Sequence, residues 1–253
     1  MKTVIVIPAR LESTRLPNKV LLDLHGKSII HRVYNQCIKV KNVASVFIAT
    51  DNVKIIEHCQ LFTNNIILTN KKHVTGTDRI SEAIGKINCD NVINVQADEP
   101  FIDVRLIEEL AKQIKGKEVQ MASAMHRIEL FDELLDPNNV KVCVDNEMNA
   151  LYFSRGIIPF YRNDKEQLSP RSNDIPKRLL YFKHIGIYGY KKCFLLKYSK
   201  MRPSPAENIE KLEQLRVLEN GFKIRMIETK SPTLGIDTLE DYQLAQKIIN
   251  EQL

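Results

Sequence analysis

The sequence predicts an α/β protein built on a mainly parallel sheet flanked by helices. Three observations predict it. Short apolar runs, TVIVI (3–7), SVFIAT (45–50), NIIL (65–68) and NVINVQ (91–96), recur with helical stretches between them. In the first such stretch, 28–40, Ile29, Ile30, Val33, Tyr34, Cys37 and Ile38 fall at three-and-four spacing, which puts one apolar face against a sheet. The 253 residues, 43% of them hydrophobic, suffice for one large domain with a full core.

Past about residue 117 the pattern becomes richer in strands. VQMASAM, NVKVCVD, NALYFS and RLLYFKHIGIYGY are separated by turn-rich segments. Within KHIGIYGY (183–190), alternation puts His184, Gly186 and Tyr188 on one face and Lys183, Ile185 and Ile187 on the other. The stretch 162–178 has only Leu168 and Ile175 as strong hydrophobes and two prolines, which predicts a surface excursion and the least ordered piece. A helix is expected over about 206–220, with Ile209, Leu212, Leu215 and Leu218 as its buried stripe and Gly221 as its stop. The strand FKIRMIE, a loop holding Gly235, Asp237 and Thr238, and a closing amphipathic helix complete the chain.

Composition narrows the function. Thirty-seven Lys and Arg against 31 Asp and Glu give a net charge of +6, which favours an anionic partner. Acidic and basic residues alternate along most helices, and no basic stripe with interleaved aromatics stands out, so small phosphorylated or carboxylated ligands fit better than nucleic acid. No apolar run approaches the roughly 18 residues of a membrane span. MKTVIVIPAR runs into a strand with no small-residue cleavage site, which gives a cytoplasmic expectation. Five widely spaced cysteines without a C-x-x-C pair read as reduced thiols, mostly in the core, rather than a zinc site.

In parallel sheets ligands bind beyond the carboxyl ends of the strands, and two polar clusters fall there. PARLESTRLPNK (8–19) carries Arg10, Arg15 and Lys19 with no glycine. Guanidinium forks and a mobile ammonium suit phosphate oxygens, although the same residues also read as a solvated basic loop. QADEP (96–100) sets Asp98 beside Glu99; a divalent cation would relieve their repulsion, and capping of the helix that begins near Asp103 is the competing reading. Asp237 offers a further carboxylate, unless it belongs to an ordinary turn with Thr238. His184 alone on a strand reads as a hydrogen-bonded structural residue, and Glu213 and Gln214 read as solvated.

Taken together, IPARLESTRLPNK, TGTDR (75–79), NVQADEP, ALYFSR, KHIGIYGY, PSPAENIEKLEQLRVLENG and GIDTLED resemble the 3-deoxy-D-manno-octulosonate (Kdo) cytidylyltransferases through nearly the whole chain. The resemblance implies a Rossmann-like, mainly parallel but mixed sheet in a single domain, 1–253. About 1–117 would bind nucleotide, about 118–230 would serve sugar binding and dimerisation, and 231–253 would supply a metal-ligand loop and closing helix. It implies transfer of CMP from CTP to Kdo with magnesium as cofactor and a homodimer as assembly. An 8-amino-3,8-dideoxy analogue or another acidic sugar is the alternative substrate, and a non-catalytic nucleotide or nucleic-acid binder the alternative class. The residues carried over are Ala9, Arg10, Arg15, Lys19, Gly76, Thr77, Arg79 and Asp98 for nucleotide, with Arg10, Lys19 and Asp98 catalytic. Asp98 and Asp237 are implied for magnesium, and Gln96, Arg155, His184, Tyr188, Glu213 and Gln214 for sugar. The chain departs from the family pattern at Asn18 and Ala97, commonly glycine, and at Ser28 and Leu239, commonly proline. Asn18 is expected to preserve a left-handed backbone.

Overall fold

The computed structural model describes residues 1–13, 15–73, 75–162, 173–231 and 233–251. The first apolar run forms β1 (Thr3–Ala9), buried along its whole length. Ile5 and Ile7 enter one core while Val4 and Val6 enter another, so successive residues feed opposite faces of a strand covered on both sides. The other early runs form β2 (Ser45–Thr50), β3 (Ile66–Leu68) and β4 (Asn91–Asn94), and β2–β3, β1–β2 and β1–β4 all pair in parallel. The helices α1 (Ile29–Cys37), α2 (Val53–Cys59), α3 (Gly76–Gly85) and α4 (Val104–Gln113) follow these strands or the loops after them.

Each of these helices starts on a side-chain cap that accepts a backbone N–H of its first turn: Ser28, Asn52, Thr75 and Asp103. Asp103 therefore caps α4 itself. Asp98 and Glu99 are released from that duty.

The second half adds β5 (Met121–Arg127), α5 (Phe131–Leu135), β6 (Lys141–Val144), β7 (Ala150–Ser154), β8 (Phe182–Lys191), α6 (Lys192–Tyr198), α7 (Pro205–Glu210), α8 (Gln214–Glu219), β9 (Ile224–Thr229) and α9 (Leu239–Glu251). These strands extend the same sheet in the order β3-β2-β1-β4-β8-β5-β9, with β6 and β7 attached beside β8. β8 runs antiparallel to both β4 and β5, which makes the sheet mixed. It also lies close to α4: a Cβ on Gly189 would stand 3.2 Å from Ile93 Cδ1 and 3.6 Å from Ile114 Cβ.

Helices α1, α2 and α4 cover one face through Ile30, Val33, Ile55, Ile107 and Leu110. Helices α3, α6 and α8 cover the other through Ile80, Ile84, Phe194, Leu195 and Leu215. A third cluster joins Ile236, Ala245 and Ile249, at and within the closing helix, to Leu16, Leu24 and Ile29 near the start of the chain. The last helix thus fastens the first loop against the loop that carries Asp237.

The helix expected over 206–220 is broken into α7 and α8 at Lys211, whose φ of 57° is left-handed. The break rotates α7 out of phase with α8: Ile209 is 82% exposed, whereas Leu212 and Leu215 stay buried. The residue that α7 buries is Glu207, which accepts from Ser204 N–H at 3.1 Å in a capping box and from Arg216 Nε at 2.7 Å. Of the cysteines, Cys37, Cys59 and Cys89 are buried, Cys143 is half-buried and Cys193 is exposed, so the thiols lie mostly in the core as expected. In the excursion, 163–172 with Leu168 lie outside the described residues. Ile175 is buried, and its N–H donates to Glu129 O at 2.8 Å, so that part docks on the body.

Removing one partner of a buried ion pair leaves the other charge uncompensated. Glu207→Ala is expected to lower the unfolding free energy by about 3 kcal/mol, read by urea denaturation.

Candidate active site

The first loop is shaped by Asn18, whose φ of 56° and ψ of 23° are left-handed. That turn starts a 3-10 helix at Lys19–Leu21 and directs Lys19 across the crevice. Lys19 Nζ donates to Asp98 Oδ2 and, at 2.6 Å, to Asp237 Oδ1. Arg15 Nη2 donates to Asp237 Oδ2 at 3.1 Å. The two acidic loops are themselves tied, with Ile236 N–H donating to Asp98 O at 2.9 Å. Both earlier readings of the Asp237 loop apply, to different residues. Thr238 and Asp241 cap α9 through reciprocal bonds of 2.8 and 3.2 Å, which leaves the carboxylate of Asp237 for the crevice.

These charges set the protonation states. Burial opposes charge on Lys19, but Asp98 and Asp237 outweigh it and hold the ammonium's pKa above its ordinary value. Burial likewise opposes ionisation of Asp237, and Lys19, Arg15 and Arg10 reverse that, holding it below the usual range. Glu99 follows the other course. Burial, then the charges of Asp98 and Asp237, push it up to about 7 despite Lys19, and its Oε2 is buried without a hydrogen-bond partner among the described residues.

Among the described residues no group of three or more His, Cys, Asp or Glu converges as an all-protein metal cage. Two carboxylates that already share one cation are what magnesium takes from a protein when phosphates and water complete its shell. Asp98 and Asp237 fit that ion.

The crevice continues into neighbouring pockets. Arg10, Arg15, Lys19, Gln96, Asp98 and Asp237 line a cavity of about 490 Å³. Ala9, Arg10, Gly76, Arg79 and Gln96 line a smaller hollow beside it. Arg79 is buried and fixed, with Nη1 on Thr69 Oγ1 at 2.7 Å and Nη2 on Asp51 Oδ2 at 2.8 Å. A further pocket of about 270 Å³ is lined by Gly76, Thr77, Gln96, Tyr188, Glu213 and Gln214, among others. Gln96 lines all three. Gln214 is buried and Glu213 half-buried, so the expectation that they are solvated is corrected. The break at Lys211 turns this segment inward, and burial raises the pKa of the Glu213 carboxyl although a hydrogen bond from Thr77 opposes it.

Two residues assigned to the same pocket by resemblance sit elsewhere. Arg155 is not among the lining side chains: its Nε donates to Glu210 O at 2.9 Å and its Nη1 to Pro137 O at 3.0 Å, which spends the guanidinium on bracing the end of α7. His184 lies behind the pocket, its ring against those of Phe153 and Tyr188. Burial depresses it to about 3, so it is neutral. Ser123 Oγ donates to Ile187 O at 2.8 Å and accepts from His184 Nε2 at the same distance, which fixes the tautomer.

Other lining residues were unassigned in the sequence. Asn94 and Tyr190 lie two positions from Gln96 and Tyr188, so strand alternation carried a signal for both. Tyr198 and Lys211 had none, since their places follow from tertiary packing and from the helix break.

A phosphate-sized set of cations facing two carboxylates, with a second polar pocket across Gln96, defines an α/β nucleotidyltransferase. The chain matches the cytidylyltransferase family's sequence profile over residues 4–225. It is 45% identical to a 3-deoxy-manno-octulosonate cytidylyltransferase of Francisella tularensis subsp. holarctica, over 97% of this chain and 98% of that one. It is 41% identical to the enzyme of that name from Geobacter metallireducens, over 95% of each chain. Its fold superposes with a TM-score of 0.91, at 38% identity and over the whole of both chains, on a CMP:2-keto-3-deoxy-manno-octonic acid synthetase complexed with CTP. The chain belongs to the 3-deoxy-manno-octulosonate cytidylyltransferases.

The neutral His184 makes stability depend on pH. The unfolded chain takes up a proton near pH 6.5 that the folded one refuses down to about 3, so the unfolded state binds more protons and stability falls as pH drops through that window. His184→Asn lacks this loss. Wild type is expected to be the more stable at pH 7, and the gap should narrow by about 1 kcal/mol per unit of acidification in urea titrations between pH 6.5 and 4.

Proposed function

We propose that the protein transfers CMP from CTP to 3-deoxy-D-manno-octulosonate, giving CMP-Kdo and diphosphate, and so activates Kdo for lipopolysaccharide assembly. The observation that carries this reading is the pair of pockets meeting at Gln96, one cationic and carboxylate-bearing, the other lined by Tyr188, Glu213 and Gln214. CTP lies along the first loop, its phosphate oxygens on the Arg10 and Arg15 forks and Lys19, with Gly76, Thr77 and Arg79 at the adjoining wall. The sugar occupies the second pocket. Gln96 stands where its anomeric hydroxyl meets the α-phosphorus for in-line displacement of diphosphate.

Magnesium, when bound by Asp98 and Asp237, offsets charge on the phosphates and lowers the pKa of the attacking hydroxyl. Lys19 and Arg10 stabilise charge on the α-phosphoryl oxygens. Glu213, Gln214 and Tyr188 orient the sugar by hydrogen bonds. His184 holds Tyr188 from behind through ring contact, and Arg155 steadies the pocket's rim through Glu210.

The working assembly is a homodimer. Leu151 and Tyr152 on β7 and Phe160 beyond it leave apolar side chains exposed, Phe160 by 84%, as a surface for a second copy. A cytoplasmic location accords with the five free cysteines. No helix among the described residues is long and apolar enough to cross a membrane.

Diphosphate release on mixing the protein with CTP, magnesium and Kdo tests the reading; no release with any 3-deoxy-octulosonate overturns it. EDTA should abolish release and excess magnesium restore it. Glu213→Gln is expected to raise KM for the sugar roughly tenfold, as for loss of one charge-assisted hydrogen bond, and to leave KM for CTP within about twofold. An equal rise in both would take Glu213 out of the sugar pocket. A sedimentation mass of a single chain would remove the homodimer.

A further inference from the structure

Lys19 already occupies the carboxylates that the reaction's cation needs. Its ammonium donates to both Asp98 and Asp237, and Arg15 takes the remaining oxygen of Asp237. The contact is built into the fold. The Lys19 side chain is only 14% exposed, and its backbone is set by the left-handed Asn18 and by a bond from its own N–H to Leu16 O at 3.2 Å. Closely placed carboxylates repel unless a cation lies between them, and here the chain supplies its own. A divalent cation taking both carboxylates has to displace that ammonium, and triphosphate oxygens offer the ammonium an alternative partner.

We propose that Lys19 is an exchangeable counter-ion. It neutralises Asp98 and Asp237 until nucleotide draws its ammonium onto phosphate, and only then are the carboxylates free for the divalent cation. The exchange rests on the reading of Asp98 and Asp237 as magnesium ligands. It makes metal binding weak without nucleotide and strongly favoured with it, which keeps the metal from settling in a site that holds no substrate.

The test is metal binding by the full-length, nucleotide-free protein, with Mn²⁺ followed by the loss of its free-ion EPR signal. Lys19→Met and Lys19→Gln are expected to bind Mn²⁺ about tenfold tighter than wild type, since the competing charge is gone. Equal or weaker binding by both overturns the exchange. Adding Asp98→Asn to Lys19→Met should abolish the gain. A gain that survives would show the ion held elsewhere, overturning the ligand reading and the exchange with it. If Asp98→Asn weakens Mn²⁺ binding in the wild-type background while the Lys19 variants change nothing, the ligand reading stands and the exchange alone fails. Should the variants not fold, wild type carries a second measurement. Reductive methylation of Lys19 without nucleotide, read by mass spectrometry, is expected to run several-fold faster at magnesium high enough to fill the weak nucleotide-free site than without magnesium, as mass action drives the amine off its carboxylates. An unchanged rate overturns the proposal.

Discussion

The site depends on one ammonium held between two carboxylates. Lys19, Asp98 and Asp237 come from the first loop, from the loop after β4 and from the loop before the last helix, and no two of these segments are neighbours in sequence. The fold brings them together by two means. The parallel pairing of β1 with β4 puts the first two loops beyond the same edge of the sheet, and the packing of Ile236, Ala245 and Ile249 on Leu16, Leu24 and Ile29 brings in the third. The apolar contacts supply the stability that lets like charges sit so close, and the charges make the arrangement useful.

The second pocket arises from an interruption in the parallel order. β8 enters antiparallel between β4 and β5, which sets Tyr188 opposite Asn94 and near Gln96 on one wall. The left-handed Lys211 then turns Glu213 and Gln214 in from the other side. One strand reversal and one broken helix thus set a second polar pocket beside the cationic one, where the proposed reaction places its sugar.

The parallel half of the fold was legible because its strands are continuous apolar runs and its helices carry clear stripes and caps. The left-handed turn at Asn18 was legible through the resemblance, because the family commonly has glycine there and asparagine tolerates the same backbone. The break at Lys211 was not: lysine carries no turn signal, and the leucine spacing runs through it unbroken, so Ile209 was placed inside when it lies outside. At the site, charge type and position after a strand marked the cations and carboxylates as candidates and the family resemblance assigned their roles, but alternation alone could not say that His184 packs behind Tyr188 or that Arg155 is spent on Glu210 and Pro137. Those outcomes depend on which polar partners the tertiary fold brings near, and local periodicity does not encode them.

If Asp98 and Asp237 act as one unit around a shared cation, their losses must not add. The decisive measurement is a double-mutant cycle on kcat/KM for CMP-Kdo synthesis with Asp98→Asn, Asp237→Asn and the pair. A double variant within about tenfold of the worse single one is the result expected of a joint site. Losses that multiply would show two carboxylates working separately and would contradict it.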